Sequence, residues 1–122
     1  MPIVDVELIC ASDAELAGIS ARRIADALGA VFGSPPGRTW IRLRALPASA
    51  YAENDADVNA GALPVFVTVL HAHPPERDAL SAEVRNVTEA VATCVGRPAE
   101  RVHVRYEPAA AGRQAFGGNL VR

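Results

Sequence analysis

The sequence has little net charge, no long apolar run and few cysteines, and each of these features excludes a class of protein. Its 122 residues carry a formal net charge of −2, so there is no electrostatic reason to expect nucleic acid or an acidic membrane as a partner. The longest apolar run, residues 63–70, is too short to span a bilayer. The first residues lack the basic and apolar segments of a signal peptide. We therefore expect a cytoplasmic protein that binds neither nucleic acid nor membranes.

The metal-ligating residues are also too few and too scattered for a metal site. Cys10 and Cys94 stand in unrelated contexts, which predicts reduced thiols rather than a paired or metal-bound set. His71 and His73 are separated by one residue, but no third ligand follows at a diagnostic spacing. We expect no metal and no cofactor.

Instead, the sequence has the composition of one globular domain. Half of the residues are hydrophobic and 21% are charged, and the length suits a single core. An offset of 62 residues places PIVDVELI (2–9) on PVFVTVLH (64–71), proline on proline, and then Pro36 on Pro98. This predicts a single domain, residues 1–122, made of two pseudo-symmetric β-α-β repeats at about 2–60 and 64–122. Chance similarity between two amphipathic segments is the alternative.

Each half of the chain predicts the same elements. Strand-like segments cover residues 2–9, 39–46, 63–71 and 101–107. The first helix is predicted to begin at the capping-box spacing Ser12–Glu15 and to end at Gly33. The second helix is predicted to begin after Pro74-Pro75 and to end at Gly96. The remaining segments are loop-like, with room for a short terminal strand.

This order predicts an α/β fold (α+β in some schemes). Each β-α-β unit implies two parallel strands, and two such units would form one four-stranded mixed sheet with both helices on one face. In the third strand Val65, Val67 and Val69 alternate with Phe66 and Leu70, so both faces of the sheet are expected to be apolar. A neighbouring subunit would then cover the face without helices.

The opening Met-Pro-Ile-Val, the β-α-β unit of about sixty residues and its second copy resemble the tautomerase superfamily. This superfamily includes 4-oxalocrotonate tautomerase (4-OT) and macrophage migration inhibitory factor (MIF). The stretch RVHVRYEPAAAGRQAFGGN is similar to the inhibitory-factor branch, and SPPGRTWIRLRALP is similar to the oxalocrotonate branch. The resemblance covers essentially the whole chain. It implies a tautomerase/MIF-like fold and a homotrimer with sites at subunit interfaces.

The resemblance also implies a reaction, keto-enol proton transfer on a 2-keto or 2-hydroxydienoate carboxylic acid. Its general base would be the amine of Pro2 after removal of Met1. An α-amino group titrates near 8, and burial together with nearby arginines would lower that value toward neutrality. Pro64 stands at the duplicate position, but its nitrogen is an amide and has no basic lone pair. A rigid start to the strand is the structural alternative for Pro2.

Substrate-binding residues follow from the same resemblance. Arg105 and His103 match two polar positions that a neighbouring subunit contributes to the proline pocket, and Phe116 matches an aromatic wall. Arg42 is a further candidate if one residue of slippage against the repeat is allowed, and Arg38 and Arg44 are weaker ones. The alternatives are ion pairs or solubility for the arginines, a structural role for His103 and interface packing for Phe116.

Two departures from the family pattern bear on the substrate. Ser12 and Ser34 stand where the two branches carry an arginine and a lysine, which favours a small keto acid over a dicarboxylate. Two other functions stay open. A hydratase, dehalogenase or decarboxylase would need an acid near Pro2, for which Asp5 and Glu107 are the nearby candidates in sequence. A non-enzymatic, cytokine-like binding protein is the third class.

Overall fold

The computed structural model describes residues 2–122, so Met1 and its predicted removal lie outside the described part of the chain. The elements are, in chain order, β1 Ile3–Cys10, α1 Asp13–Ala17, α2 Ala21–Phe32, β2 Trp40–Pro47, β3 Val65–Leu70, α3 Arg77–Val95, β4 Val102–Tyr106, β5 Ala115–Phe116 and β6 Asn119–Leu120. No helix within residues 2–122 is long and apolar enough to cross a membrane.

Strands β1 to β4 form one mixed sheet in the order β2-β1-β3-β4. The two outer pairs are parallel, and the central pair, β1 with β3, is antiparallel. The long helices α2 and α3 pack on one face of this sheet. The predicted four-stranded mixed sheet with two long helices is thus confirmed.

The core lies between that face and the two helices. Alternate strand residues point into it, and the fully buried ones include Val4, Val6, Val65 and Val67. They pack against the apolar stripes of α2 and α3, namely Ile24, Leu28, Val87 and Val91. We call this side of the sheet the helix face and the other side the open face.

The open face is mostly charged and polar, so the expectation that both faces are apolar was wrong. Strand β3 does present Phe66 and Leu70 there. Its neighbours, however, present Asp5, Glu7, Arg42, Arg44, His103 and Arg105. A charged face is stable in water without a cover, so the apolar-face argument for a neighbouring subunit does not hold.

The first predicted helix is two helices. The Ser12 side chain makes no capping bond, and Glu15 instead accepts a hydrogen bond from the Ala11 N–H at 3.1 Å. The helix is interrupted at residues 18–20. Ser20 then caps α2, because its side chain accepts a hydrogen bond from the Arg23 N–H at 3.0 Å. At the other end the predicted glycine caps are confirmed, with Gly33 and Gly96 at φ of 64° and 67°.

The burial of the strands requires an odd offset between the two halves, which the offset of 62 indicated by the sequence does not provide. An offset of 62 moves Val4 on the helix face onto Phe66 on the open face. An offset of 61 keeps the faces and places Arg42 on His103, so no slippage is needed. Pro2 then aligns with Leu63 rather than Pro64. Descent of the two halves from one duplicated unit stays a prediction.

Candidate functional site

Pro2 lies directly before β1, and its ring is fully buried. The carbonyl oxygen of Pro2 accepts a hydrogen bond from the Trp40 N–H at 3.0 Å, which ties the start of β1 to the start of β2. On the other side, β1 and β3 pair Ile3 with Leu70, so the antiparallel register, extended by one residue, places His71 opposite Pro2. We call this end of the sheet the Pro2 edge.

The C-terminal hairpin brings Phe116 to the Pro2 edge. Strands β5 and β6 pair Phe116 with Asn119 around a Gly-Gly turn in which both glycines have positive φ. The Phe116 ring meets the Trp40 ring edge-on, with centroids 4.8 Å apart. Trp40 in turn donates from Nε1 to the Gly37 carbonyl at 2.9 Å. Phe116 therefore contacts Trp40, the residue whose N–H bonds Pro2.

His71 is a residue of the Pro2 edge that the sequence analysis considered only as a metal ligand. Its ring meets Phe32, the last residue of α2, edge-on at 5.9 Å. Its Nδ1 accepts a hydrogen bond from the His73 N–H at 3.1 Å. Burial lowers the pKa of His71, and the carboxylate of Glu83 opposes that shift. His71 is accordingly a neutral imidazole, with its proton on Nε2.

Near His71 the helix face also carries one acid–phenol pair. The Tyr106 hydroxyl, on β4, donates to the carboxylate of Glu83, on α3. Burial, and then this carboxylate, raise the pKa of Tyr106 well above its ordinary value. Glu83 is therefore an acid on the same side of the sheet as Pro2 and His71. The two acids considered from the sequence, Asp5 and Glu107, lie with arginines instead.

Arg42 and Arg44 are held by carboxylates on the open face. Arg42 makes a bidentate pair with Asp5, with nitrogen–oxygen distances of 2.6 and 2.9 Å, and Arg44 bonds Glu7 at 3.2 Å. The hydrogen bond to Asp5 raises the pKa of Arg42. These guanidinium groups point away from the face on which Pro2 is buried, so the structure does not bring them to Pro2 within one chain.

His103 and Arg105 also lie on the open face, on β4. Arg105 bonds Glu107 at 3.2 Å, and the His103 ring lies 5.6 Å from that of Phe66. His103 pairs with Phe66 and thereby with Glu7, two strands across and five residues along from Pro2. Strand geometry makes this separation about 19 Å. Neither side chain reaches Pro2 of the same chain.

Arg38 is the predicted arginine that lies at the Pro2 edge. It closes the turn 35–38, where its N–H bonds the Pro35 carbonyl at 3.2 Å and Gly37 has φ of 76°. It stands two residues before Trp40, and within residues 2–122 it has no ion-pair partner. Ser34, at the start of the same loop, accepts a hydrogen bond from the Thr39 hydroxyl at 2.8 Å.

The opposite end of the β1–β3 pair is closed by Arg97. Its guanidinium donates to the carbonyls of Leu63 and Ile9 at 2.8 and 2.9 Å and to Glu15 at 2.7 Å. The Arg97 side chain is only 11% exposed. Pro64 is buried beside it. This end therefore holds a packed structural clamp where the Pro2 edge holds aromatic rings and a histidine.

Among residues 2–122 no three His, Cys, Asp or Glu side chains cluster as a metal site would require. His71 and His73 contact each other instead, because the His73 backbone N–H donates to Nδ1 of His71. The His73 Nε2 lies 3.1 Å from the Arg122 carbonyl, which ties the last residue to this edge.

The chain is similar to known proteins in its structure but not in its sequence. No protein-family model and no curated protein sequence matches the chain. A fused 4-OT solved as an asymmetric trimer is 18% identical, covering 97% of this chain and 94% of its own, with a TM-score of 0.72. Macrophage migration inhibitory factor from Oncomelania hupensis is also 18% identical, covering 98% and 81%, with a TM-score of 0.71.

A third similar structure is that of malonate semialdehyde decarboxylase, studied for its decarboxylase and hydratase activities. It is 17% identical and covers 94% of this chain and 90% of its own, with a TM-score of 0.64. All three matches extend over nearly the whole chain described above. The chain has the fold of the tautomerase superfamily.

Proposed function

We propose that this chain is a tautomerase that moves a proton between oxygen and carbon of a 2-keto or 2-hydroxydienoate carboxylic acid. The observation that carries the proposal is the position of Pro2, buried at the start of β1 beside Trp40 and opposite His71. With Met1 removed, Pro2 has a free secondary amine. Burial favours the neutral form of that amine, which is the form that accepts a proton.

In this mechanism the amine of Pro2 takes the proton from the enol hydroxyl of the substrate and returns a proton to the adjacent carbon. Negative charge develops on the oxygen during the transfer and needs donors to stabilise it. The substrate carboxylate needs a cation, and Arg38 is the candidate at the Pro2 edge of the same chain. Ser34 bonds Thr39 and offers no charge, which supports a monocarboxylate.

We further propose a homotrimer in which a neighbouring subunit supplies His103 and Arg105. Within one chain strand geometry places His103 about 19 Å and Arg105 about 14 Å from Pro2, and both side chains are on the opposite face, so only another copy could bring them to it. The fused 4-OT structures similar to this chain are trimers. Subunit mixing tests this assignment directly. Pro2→Ala and Arg105→Ala variants, each of low activity alone, should regain activity when co-assembled, because some pockets then combine Pro2 with a neighbour's Arg105.

The proposed reaction is tested with phenylenolpyruvate, a small enol acid. Mass spectrometry first establishes that Met1 is absent from the purified protein. The wild-type chain should accelerate ketonisation, and Pro2→Ala should lose that acceleration by about 10²-fold or more, the usual contribution of a positioned base. Pro64→Ala is the matched control, because it removes the buried proline directly before β3 without touching the amine. Equal rates for wild type and Pro2→Ala would refute the proposal.

A second candidate is hydration or decarboxylation in the same pocket. The Glu83 carboxylate on the helix face favours it, because such chemistry uses an acidic residue near the proline. The structural similarity to malonate semialdehyde decarboxylase also favours this second candidate. NMR titration of the Pro2 amine distinguishes the two. A value well above 8 means a protonated proline acting as acid, and a value near neutrality means the base of a tautomerase.

A further inference from the structure

His71 is a neutral hydrogen-bond donor on the helix-face side of the Pro2 edge. His71 follows β3 and lies opposite Pro2 in the antiparallel register. Its orientation is fixed on two sides, by the edge-on contact with Phe32 and by the hydrogen bond from the His73 N–H to Nδ1. A ring fixed in this way points its second nitrogen in one direction only.

The fixed orientation also fixes the tautomer. A nitrogen that accepts a backbone N–H bond carries no proton, so the single ring proton of neutral His71 is on Nε2. Within residues 2–122 that N–H has no hydrogen-bond partner, and no buried side-chain nitrogen or oxygen in this range is left unsatisfied. The Nε2–H group is therefore an accessible donor on the residue that the strand register places opposite Pro2.

We propose that the Nε2–H group of His71 donates a hydrogen bond to the substrate oxygen on which negative charge develops. This inference rests on the proposed tautomerase function and names an electrophilic residue for it. Pro2 removes the proton from the enol oxygen and delivers a proton to the neighbouring carbon. His71 keeps its own proton throughout, since its Nδ1 already accepts a hydrogen bond and the imidazole stays neutral.

The predicted cations do not compete for this role within one chain. Arg42, Arg44 and Arg105 lie on the open face and each holds a carboxylate. Glu83 lies on the helix face, but its carboxylate accepts the Tyr106 hydroxyl and cannot donate. His71 is thus the donor that the register of β1 and β3 places beside Pro2.

Steady-state kinetics on phenylenolpyruvate with protein free of Met1 tests the proposal. His71→Phe keeps a ring of similar size but removes the donor, and kcat should fall about 10²–10³-fold with little change in KM, as for loss of one oxyanion donor. His71→Gln restores an N–H near the Nε2 position and should recover part of that loss. Arg85→Gln, on the exposed side of α3, is the control and should match wild type.

The outcomes separate the two proposals. If Pro2→Ala is impaired but His71→Phe keeps kcat within about threefold of wild type, the role of His71 is refuted and the tautomerase stands. A rise in KM alone would also refute it, because His71 would then hold the carboxylate. No turnover by wild type refutes both. Nitrogen-detected NMR adds a readout besides activity: His71 should be the Nε2–H tautomer at neutral pH, and the Nδ1–H tautomer would overturn the inference.

Discussion

Arg97 offers the sharpest test of how the fold is held together, because it closes one end of the central strand pair. Arg97→Met keeps most of the side-chain volume but removes the guanidinium. Four acceptors then lose this donor, namely the carbonyls of Leu63, Pro64 and Ile9 and the Glu15 carboxylate. The Glu15 side chain is 37% exposed, so water can replace Arg97 as its partner, and the buried carbonyls of Leu63 and Ile9 account for most of the expected loss. Hydrogen bonds to charged groups are worth about 1.5–3 kcal/mol each, but they are not additive here.

We therefore expect Arg97→Met to lower the free energy of unfolding by about 4 kcal/mol. Urea unfolding followed by far-UV circular dichroism measures this at fixed protein concentration, with the slope against urea unchanged. In a thermal scan the same loss lowers Tm by roughly 10–20 °C for a domain of this size. Since a domain is stable by about 5–15 kcal/mol, the variant should fold but only marginally.

The matched control is Arg22→Met, which removes an arginine that also bonds a carboxylate at 3.0 Å. Arg22 and Asp26 are 85% and 66% exposed, whereas Arg97 is 11% exposed. Exposed pairs four residues apart on a helix contribute about 0.3–0.5 kcal/mol, so this control should unfold almost as wild type does. If Arg97→Met also stayed within about 1 kcal/mol of wild type, the carbonyls would be satisfied by other donors and the clamp would not hold the strand ends.

Two further predictions concern the first helix and the histidine. Ser20→Ala should cost about 1 kcal/mol in urea unfolding because it removes the cap on α2. Ser12→Ala should cost almost nothing because Ser12 caps nothing, and equal losses would contradict the assignment. Burial lowers the pKa of folded His71, so below about pH 6.5 the unfolded chain binds more protons than the folded chain does. The free energy of unfolding therefore decreases as the pH falls through this range. Wild type should lose more stability than His71→Gln between about pH 7 and 5, and parallel curves would refute this.

The layout of the fold could be predicted from the sequence because its signals are local. Alternating valines in residues 65–69 and the helical stripe ending at Gly96 each lie within one element. The break between α1 and α2 could not be predicted in this way, because Ser12 and Ser20 both precede residues of helical pattern. Which serine caps a helix depends on where the Glu15 side chain bonds, and Glu15 bonds the Ala11 N–H and Arg97.

The alignment of the two halves shows why strand register needs the structure. Matching residue classes and prolines favoured an offset of 62, which is even, but a shift of one residue exchanges the two faces of a strand. The packing of Val4 and Val65 on the same helix face requires the odd offset. That single residue decides whether Arg42 corresponds to Val104 or to His103.

The site residues divide in the same way. Pro2 and Phe116 were predicted from the family pattern, and the structure places both near Trp40. Trp40 and His71 were not predicted beside Pro2, because each becomes its neighbour only through strand pairing. Asp5 was considered as a catalytic acid, but its partner Arg42 lies directly opposite it on β2 and neutralises it.

The two ends of the β1–β3 pair explain why one chain is expected to hold one pocket. An antiparallel pair presents similar backbone at both ends, where one strand starts beside the end of the other. At one end the neighbours are Pro2 and His71, and the ring contacts Phe32–His71 and Trp40–Phe116 lie beside them. At the other end Arg97 takes the position between Leu63 and Ile9 with its own guanidinium. The clamp stabilises the fold by satisfying those carbonyls. Because Arg97 lies at the other end of the strand pair, Arg97→Met should weaken folding while leaving Pro2 and His71 in place.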